Sequence, residues 1–276
     1  MLIATWNVNS IRSRLQQVLA FLNELQPDVL CIQETKVQDH LFPVKEFEDI
    51  GYNTSFQGQK SYNGVALISQ YELEDVRVGF EGELLQDQET ILLGEQKRII
   101  SSLINEIRVV NVYVPNGSAL GTSKFDYKIK WLKYLKKYIK AQEIRQEPLC
   151  LLGDFNIALE KRDIHNPERL NGGIMASNQE REALKDVLGD QLQDVFRIFE
   201  PETNHWSWWD YRSNAWERDR GWRIDHIYLS PDLLQRAKGC FISKKTRGNE
   251  KPSDHAPVVL DIEWPIEDDL YDYPLE

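Results

Sequence analysis

A layered α/β domain with mixed or antiparallel sheets is the fold the sequence predicts, and three observations point to it. Strand-like apolar runs are spread along the whole chain. Helical patterns fall between them unevenly, without the strict βαβ alternation of a doubly wound sheet. No Pro/Gly/Ser-rich stretch divides the 276 residues. One compact domain with an ample core follows.

Leu2-Ile3-Ala4-Thr5-Trp6 reads as the first strand, with an exit loop over 7–10. Ile11, Leu15, Val18, Leu19 and Leu22 then recur at three- and four-residue steps, which predicts a helix ending before Pro27. Val29-Leu30-Cys31-Ile32 is a short buried strand that runs out at Gln33-Glu34-Thr35-Lys36. β-branched or Leu-rich runs bounded by turn residues predict strands over 64–69, 98–105, 108–114, 149–153, 223–229 and 256–263. The clearest helix lies over 124–144. Phe125, Ile129, Leu132, Leu135 and Ile139 form its apolar stripe, and Lys128, Lys133, Lys136, Lys137 and Lys140 read as a solvated basic face. Asn7-Val8-Asn9 and Asp154-Phe155-Asn156 each follow an apolar strand, an echo of the kind an internal duplication leaves.

Cys31, Cys150 and Cys240 are widely spaced and two of them lie inside strand-like runs, which favours buried free thiols and a reducing compartment. Polar residues arrive too early for a signal peptide, and no apolar run approaches the roughly 18 residues a membrane span needs. A soluble cytoplasmic protein is expected. The net charge of -11 argues at first sight against nucleic acid as a partner. The charge is uneven, however: Glu263, Glu267, Asp268, Asp269, Asp272 and Glu276 crowd the C-terminus with no Lys or Arg among them, leaving about -5 on the rest.

Asn7, Glu34, Asp154, Asn156 and Asp225 all fall where a predicted strand gives way to a loop, as site residues of open α/β sheets do. Glu34 is a suitable ligand for a hard divalent ion, which takes oxygen donors and often only one or two carboxylates. No HExxH, CxxC pair or His/Cys cluster is present, and no Gly-rich phosphate cradle. Asp154 and Asn156 share a side if their strand continues, so that a carboxylate and an amide meet one reacting group; an Asx-turn is the alternative for the same pair. Asp225 interrupts a strand-like run and needs a partner, for which the imidazole of His255 is suited. Trp206, Trp208, Trp209, Trp216 and Trp222, interleaved with Arg212, Arg218, Arg220 and Arg223, suit stacking on bases or sugars beside phosphates.

In order, the stretches Trp6-Asn7-Val8-Asn9-Ser10-Ile11-Arg12, Pro27-Asp28-Val29-Leu30-Cys31-Ile32-Gln33-Glu34-Thr35-Lys36, Tyr113-Val114-Pro115-Asn116, Gly153-Asp154-Phe155-Asn156-Ile157, Trp208-Trp209-Asp210-Tyr211-Arg212, Arg220-Gly221-Trp222-Arg223-Ile224-Asp225 and Ser253-Asp254-His255-Ala256-Pro257 resemble the exonuclease III family of abasic-site (AP) endonucleases. That family lies within the endonuclease/exonuclease/phosphatase superfamily. The resemblance implies a four-layered α/β/β/α sandwich, two packed mixed β-sheets flanked by helices, over residues 1–264, with 265–276 as an acidic C-terminal tail. It implies a monomeric, Mg²⁺-dependent enzyme, with Mn²⁺ as the alternative ion, that needs no membrane. Its substrate would be double-stranded DNA with abasic sites, cut 5′ to the lesion, or with blocked 3′ ends, processed by 3′-to-5′ exonuclease and 3′-phosphatase activity. By position, Glu34 would hold the metal with Asn7 and Asp254 near it, and Asp154 and Asn156 would reach the same ion. Tyr113 and His255 would contact the scissile phosphate, Asp225 would orient His255, and Asp154 with Asn156 would activate water or protonate the leaving 3′ oxygen. Trp208, Trp222 and Ile224 would line a pocket for the flipped-out base-less sugar. Arg12, Lys36 and Tyr62 would grip DNA phosphates, and Asn116 and Arg212 complete the substrate contacts. The alternatives are a phosphatase for a small phosphoester and a DNA-binding module without catalysis.

Overall fold

The computed structural model describes residues 1–80 and 93–264, so the acidic segment 265–276 lies outside the described residues. Its strands are β1 (Leu2–Asn7), β2 (Val29–Gln33), β3 (Asn53–Gln57), β4 (Val65–Ser69), β5 (Glu74–Val78), β6 (Ile99–Ile104), β7 (Ile107–Tyr113), β8 (Leu149–Asp154), β9 (Gln193–Asp194), β10 (Asp225–Leu229), β11 (Ala237–Ile242) and β12 (Val258–Ile262). They form two six-stranded sheets, ordered β11-β12-β1-β2-β4-β3 and β5-β6-β7-β8-β10-β9. Each sheet holds one parallel pair, β1 with β2 and β7 with β8, so both are mixed.

Strand alternation explains the layers. Successive side chains point to opposite faces, and in these strands both faces are apolar. Ile3, Val29, Cys31 and Leu67 of one sheet meet Val109, Cys150, Leu152 and Ile227 of the other in a shared core. Ala4, Trp6, Leu30 and Ile32, on the opposite face, pack under the helix α1 (Ile11–Leu25). Val110, Val112, Leu149 and Leu151 do the same for α2 (Ser123–Ile144) and α3 (Asn178–Leu188). This is the expected four-layered sandwich. The three cysteines are free and buried, as read.

α1 and α2 are crossover helices of the two parallel pairs, and the two halves share this topology. The match aligns β1 with β7 and β2 with β8, pairing Asn7 with Tyr113. The sequence echo of Asn7-Val8-Asn9 with Asp154-Phe155-Asn156 aligns β1 with β8 instead, so it does not follow the structural repeat.

Lys128 departs from its reading as part of the solvated basic face of α2. Its ammonium is fully buried and lies 2.6 Å from Glu180 Oε1, 2.7 Å from the Asn156 carbonyl oxygen and 3.2 Å from that of Asn116. Burial lowers its pKa, and Glu180 opposes that shift. Glu180 comes from a capping box at the start of α3, where Ser177 Oγ accepts from the Glu180 N–H. Removing one partner of a buried pair strands the other charge. Lys128→Met is therefore expected to cost about 3–5 kcal/mol, and Lys128→Met with Glu180→Gln less than the sum of the two single changes, as read by urea denaturation.

Candidate active site

Asn7, Tyr113 and Asp154 end β1, β7 and β8, and Glu34 directly follows β2, so these four meet at one edge of the sandwich. Asp225 reaches the same edge differently from the sequence reading. It opens β10 rather than ending a strand, and because β10 runs antiparallel to β8 its register partner is Asp154. Gly153 makes the approach of β8 possible: a Cβ there, at φ +143°, would lie 2.0 Å from the Val112 carbonyl oxygen.

Asn7 joins the two sheets. Its amide donates to Glu34 Oε1 at 2.9 Å and to Asp154 Oδ2 at 2.8 Å. Its carbonyl oxygen accepts from the Asn9 N–H at 3.0 Å. Beneath this bridge, Gln33 donates to Thr5 Oγ1 and Asn111 Oδ1, and Asn111 to the carbonyls of Ile32 and Ala66, so the sheets are pinned by polar contacts under the site.

His255 is held from behind. Its Nδ1 lies 2.8 Å from Asp225 Oδ2, and its Nε2 lies 3.8 Å from Asp154 Oδ2. Asp225 is itself fixed by Ser207, whose hydroxyl donates to Oδ2 at 2.7 Å. Burial pulls the imidazole pKa down, but the carboxylates of Asp225 and Asp154 outweigh it and raise it to about 10. His255 is thus an imidazolium at neutral pH, with both nitrogens as donors. Asp154, Asp225 and His255 bring ligand-type atoms within 4.8 Å of one another. Of these contacts, only that of His255 Nδ1 with Asp225 is a hydrogen bond, so Asp225 orients the imidazole while Nε2 faces Asp154.

Burial raises the pKa of Asp154, reinforced by Asp225 and Glu34 and opposed by His255 and the Asn7 amide. Asp154 and Asn156 do not lie on one continuing strand. β8 ends at Asp154, Asn156 takes φ +50°, and its N–H donates to Asp154 Oδ1 at 2.9 Å. The Asx-turn and the shared site are therefore the same structure: the turn brings the amide to the carboxylate. Asn116 Nδ2 donates to Asn156 Oδ1 at 2.9 Å, so Asn116 belongs to the cluster as well.

Burial also raises the Glu34 carboxyl, but Lys36 and the Asn7 amide overcome it, leaving the group below its ordinary value and ionised. Tyr113 is pushed well above its usual range by burial and by the Glu34 charge, so its phenol stays protonated and can donate. The Arg98 guanidinium stacks 4.6 Å from the Tyr113 ring. The carboxylate oxygens of Glu34 and Asp154, with the Asn7 side chain between them, suit a hard divalent cation. The Lys36 ammonium, 2.6 Å from Glu34 Oε2, stands in for one here.

Asp254 was placed beside the metal, yet its oxygens are taken by Asn9 Nδ2 and Trp208 Nε1, each at 3.0 Å. It reaches Glu34 only through Asn9 and Lys36, whose ammonium donates to Asn9 Oδ1 at 2.6 Å. Of the tryptophans, Trp206 and Trp209 are core residues, which corrects their reading as stacking platforms. Trp208 is half-buried and pairs by backbone bridges with both Trp222 and His255. Ile224 lies in the same apolar cluster as Trp222. Arg12, Arg212 and Tyr62 are exposed, Tyr62 at 69%. Ser207, Lys128, Glu180, Arg98 and Met175 were missed. Only Glu180 carries a sequence signal, the Ser177-Asn178-Gln179-Glu180 capping pattern.

An ionised carboxylate with amide and phenol donors, opposite an imidazolium backed by aspartate, defines a hydrolase site for a phosphate ester. Comparison with known proteins gives the same class. The model of the endonuclease/exonuclease/phosphatase family matches residues 4–255, and the chain belongs to that family. Exodeoxyribonuclease III of Haemophilus influenzae is 35% identical over 262 residues, 92% of this chain and 97% of that one. Among solved structures, the 3′-5′ exonuclease NExo of Neisseria meningitidis superposes with a TM-score of 0.90 at 39% identity, covering 96% of this chain and 100% of that one. An AP endonuclease from Archaeoglobus fulgidus gives 0.89 at 39% identity, with the same coverage.

Proposed function

We propose that the chain is a divalent-metal-dependent DNA repair nuclease that hydrolyses the phosphodiester 5′ to an abasic site in double-stranded DNA. It also has 3′-to-5′ exonuclease and 3′-phosphatase activity, and works as a monomer in the cytoplasm. The observation that carries this reading is the His255 imidazole, clamped by Asp225 and facing Asp154 across from the Glu34 carboxylate that the Asn7 amide holds. Free, buried thiols suit the reducing compartment.

The scissile phosphate lies against His255 Nε2 and the Tyr113 hydroxyl, which donate to its oxygens as negative charge builds there. Asp154, with its raised pKa, accepts the proton of the attacking water while Asn156 and Asn116 hold that water in line. The bond from phosphorus to the 3′ oxygen breaks, and the leaving oxygen takes a proton from solvent. Glu34 with Asn7 and Asp154 would hold Mg²⁺ or Mn²⁺, which when bound would supply Lewis-acid stabilisation of the same charge. Arg12, Lys36, Tyr62 and Arg212 meet the DNA backbone, which offsets the acidic balance of the chain locally. Trp208, Trp222 and Ile224 form the sugar pocket.

Supercoiled plasmid, intact or depurinated, incubated with Mg²⁺ or with chelator tests the reading. Nicking is expected only of depurinated plasmid and only with metal. Equal nicking of intact plasmid, or full activity in chelator, would overturn it.

A further inference from the structure

On the outer helical layer, a groove of about 480 Å³ runs between α2 and α3. Its floor is apolar, built from Ile129, Leu132 and Ala183. Along one wall stand Lys133, Lys136, Lys137 and Lys140, at the three-, four- and seven-residue steps that put side chains on one face of a helix. Like charges at such steps repel one another unless an anion lies among them. Lys136 has one, Asp186, at 3.1 Å. Lys137 lies 4.5 Å from the centre of the Tyr134 ring. Among the described residues no carboxylate pairs with Lys133, Lys137 or Lys140, and all three are exposed. Three cations short of anions thus border an apolar floor.

The sequence carries a segment of matching chemistry. Residues 265–276 interleave Glu267, Asp268, Asp269, Asp272 and Glu276 with leucines and tyrosines, and contain no Lys or Arg. The fold brings the start of this segment near the groove. Trp264 donates from Nε1 to the Asn105 carbonyl at 2.7 Å, at the turn between β6 and β7. A few residues on, the Arg108 N–H donates at 2.8 Å to the carbonyl of Pro148, which closely follows the end of α2. Trp264 therefore ends the described chain at the edge where α2 ends, opposite the edge that holds Tyr113 and Asp154. Back along α2 from Ile144 to Lys133 is about 16 Å, and the residues of 265–276, extended, reach about 40 Å.

We propose that residues 265–276 dock in this groove within the same molecule, with their carboxylates on Lys133, Lys137 and Lys140 and their leucine and tyrosine side chains on its apolar floor. Acids meet a face short of anions, and apolar side chains meet apolar surface. The covalent link holds the segment at roughly millimolar effective concentration, so weak contacts suffice to fill the groove. A docked segment also screens these lysines from the phosphate backbone of DNA, which weakens non-specific binding away from the site. The docking itself is independent of the nuclease reading.

The test compares the full chain with a full-length variant whose last segment is neutralised by Glu267→Gln, Asp268→Asn, Asp269→Asn, Asp272→Asn and Glu276→Gln. Both are treated with limiting acetic anhydride at low salt and without DNA. Acetylation of each lysine is read by mass spectrometry relative to Lys251, whose side chain is 89% exposed. Lys133, Lys137 and Lys140 are expected to react about fivefold more slowly in the wild type than in the variant, and the difference should fade as salt rises toward about 1 M. Rates within about twofold of each other in the two proteins overturn the proposal, since the groove would then be open or covered by something else. Protection that grows with protein concentration overturns it too, because the occupant would then be the segment of a second copy. Protection that appears only on adding duplex DNA makes the groove a DNA surface, and the proposal falls.

Discussion

Asp225→Asn is expected to lower kcat for abasic-site incision by about a thousandfold, roughly 4 kcal/mol of transition-state stabilisation. The change is nearly isosteric, and Ser207 can still bond the side chain, so the fold should persist. What is lost is the carboxylate that stabilises the charged imidazole 2.8 Å away. The pH profile separates this role from a structural one. In the folded wild type the His255 pKa is raised from its ordinary value near 6.5 to about 10. Its stabilising contribution is therefore complete below about pH 6.5 and is lost as pH rises through about 10. Wild-type kcat should hold through pH 9 and fall above it. Without the Asp225 charge, burial pulls the imidazole down and the alkaline limb should move toward neutrality. A pH–rate profile in Asp225→Asn with an unmoved alkaline limb would refute the assignment of that limb to His255.

How much of this was legible depended on burial. The predicted strands are the buried ones, each placed within two residues of its observed ends. The four strands that went unread, β3, β5, β9 and β11, are the four edges of the two sheets. An edge strand has one neighbour and solvent beside it, so Glu74-Asp75-Val76-Arg77-Val78 carries no apolar run to read. The site followed the same logic. Glu34, Asp154 and His255 sit beside apolar strands and short motifs, which exposes them to pattern reading. Lys128 is invisible that way: on a helix with seven lysines, nothing local distinguishes the one whose ammonium is drawn inward by a glutamate 52 residues later. Adjacent residues misled as well. Asp254 and His255 are neighbours in sequence, but the backbone turns them to different partners, Asn9 and Trp208 for one and Asp225 for the other.

Glu34→Gln is the change expected to separate metal chemistry from DNA binding most cleanly. The glutamine keeps an oxygen to accept from the Asn7 amide, which now donates to Glu34 Oε1 at 2.9 Å, so the bridge between the sheets need not break. The full negative charge is gone, however, and a hard cation held by few protein ligands depends on that charge. Turnover at a fixed Mg²⁺ concentration should fall by about a thousandfold or more, and added metal should restore part of it. DNA affinity should move the other way. In wild type the Lys36 ammonium is held 2.6 Å from Glu34 Oε2, where it cannot serve the DNA backbone fully. Removing the carboxylate frees Lys36 and deletes a charge that repels phosphate. The Kd for abasic duplex, measured in chelator so that no turnover occurs, should therefore stay within threefold of wild type or tighten, and the slope of log Kd against log salt should steepen by up to about one phosphate contact. If affinity instead weakens in step with turnover, Glu34 acts by shaping the site and not by holding a cation there.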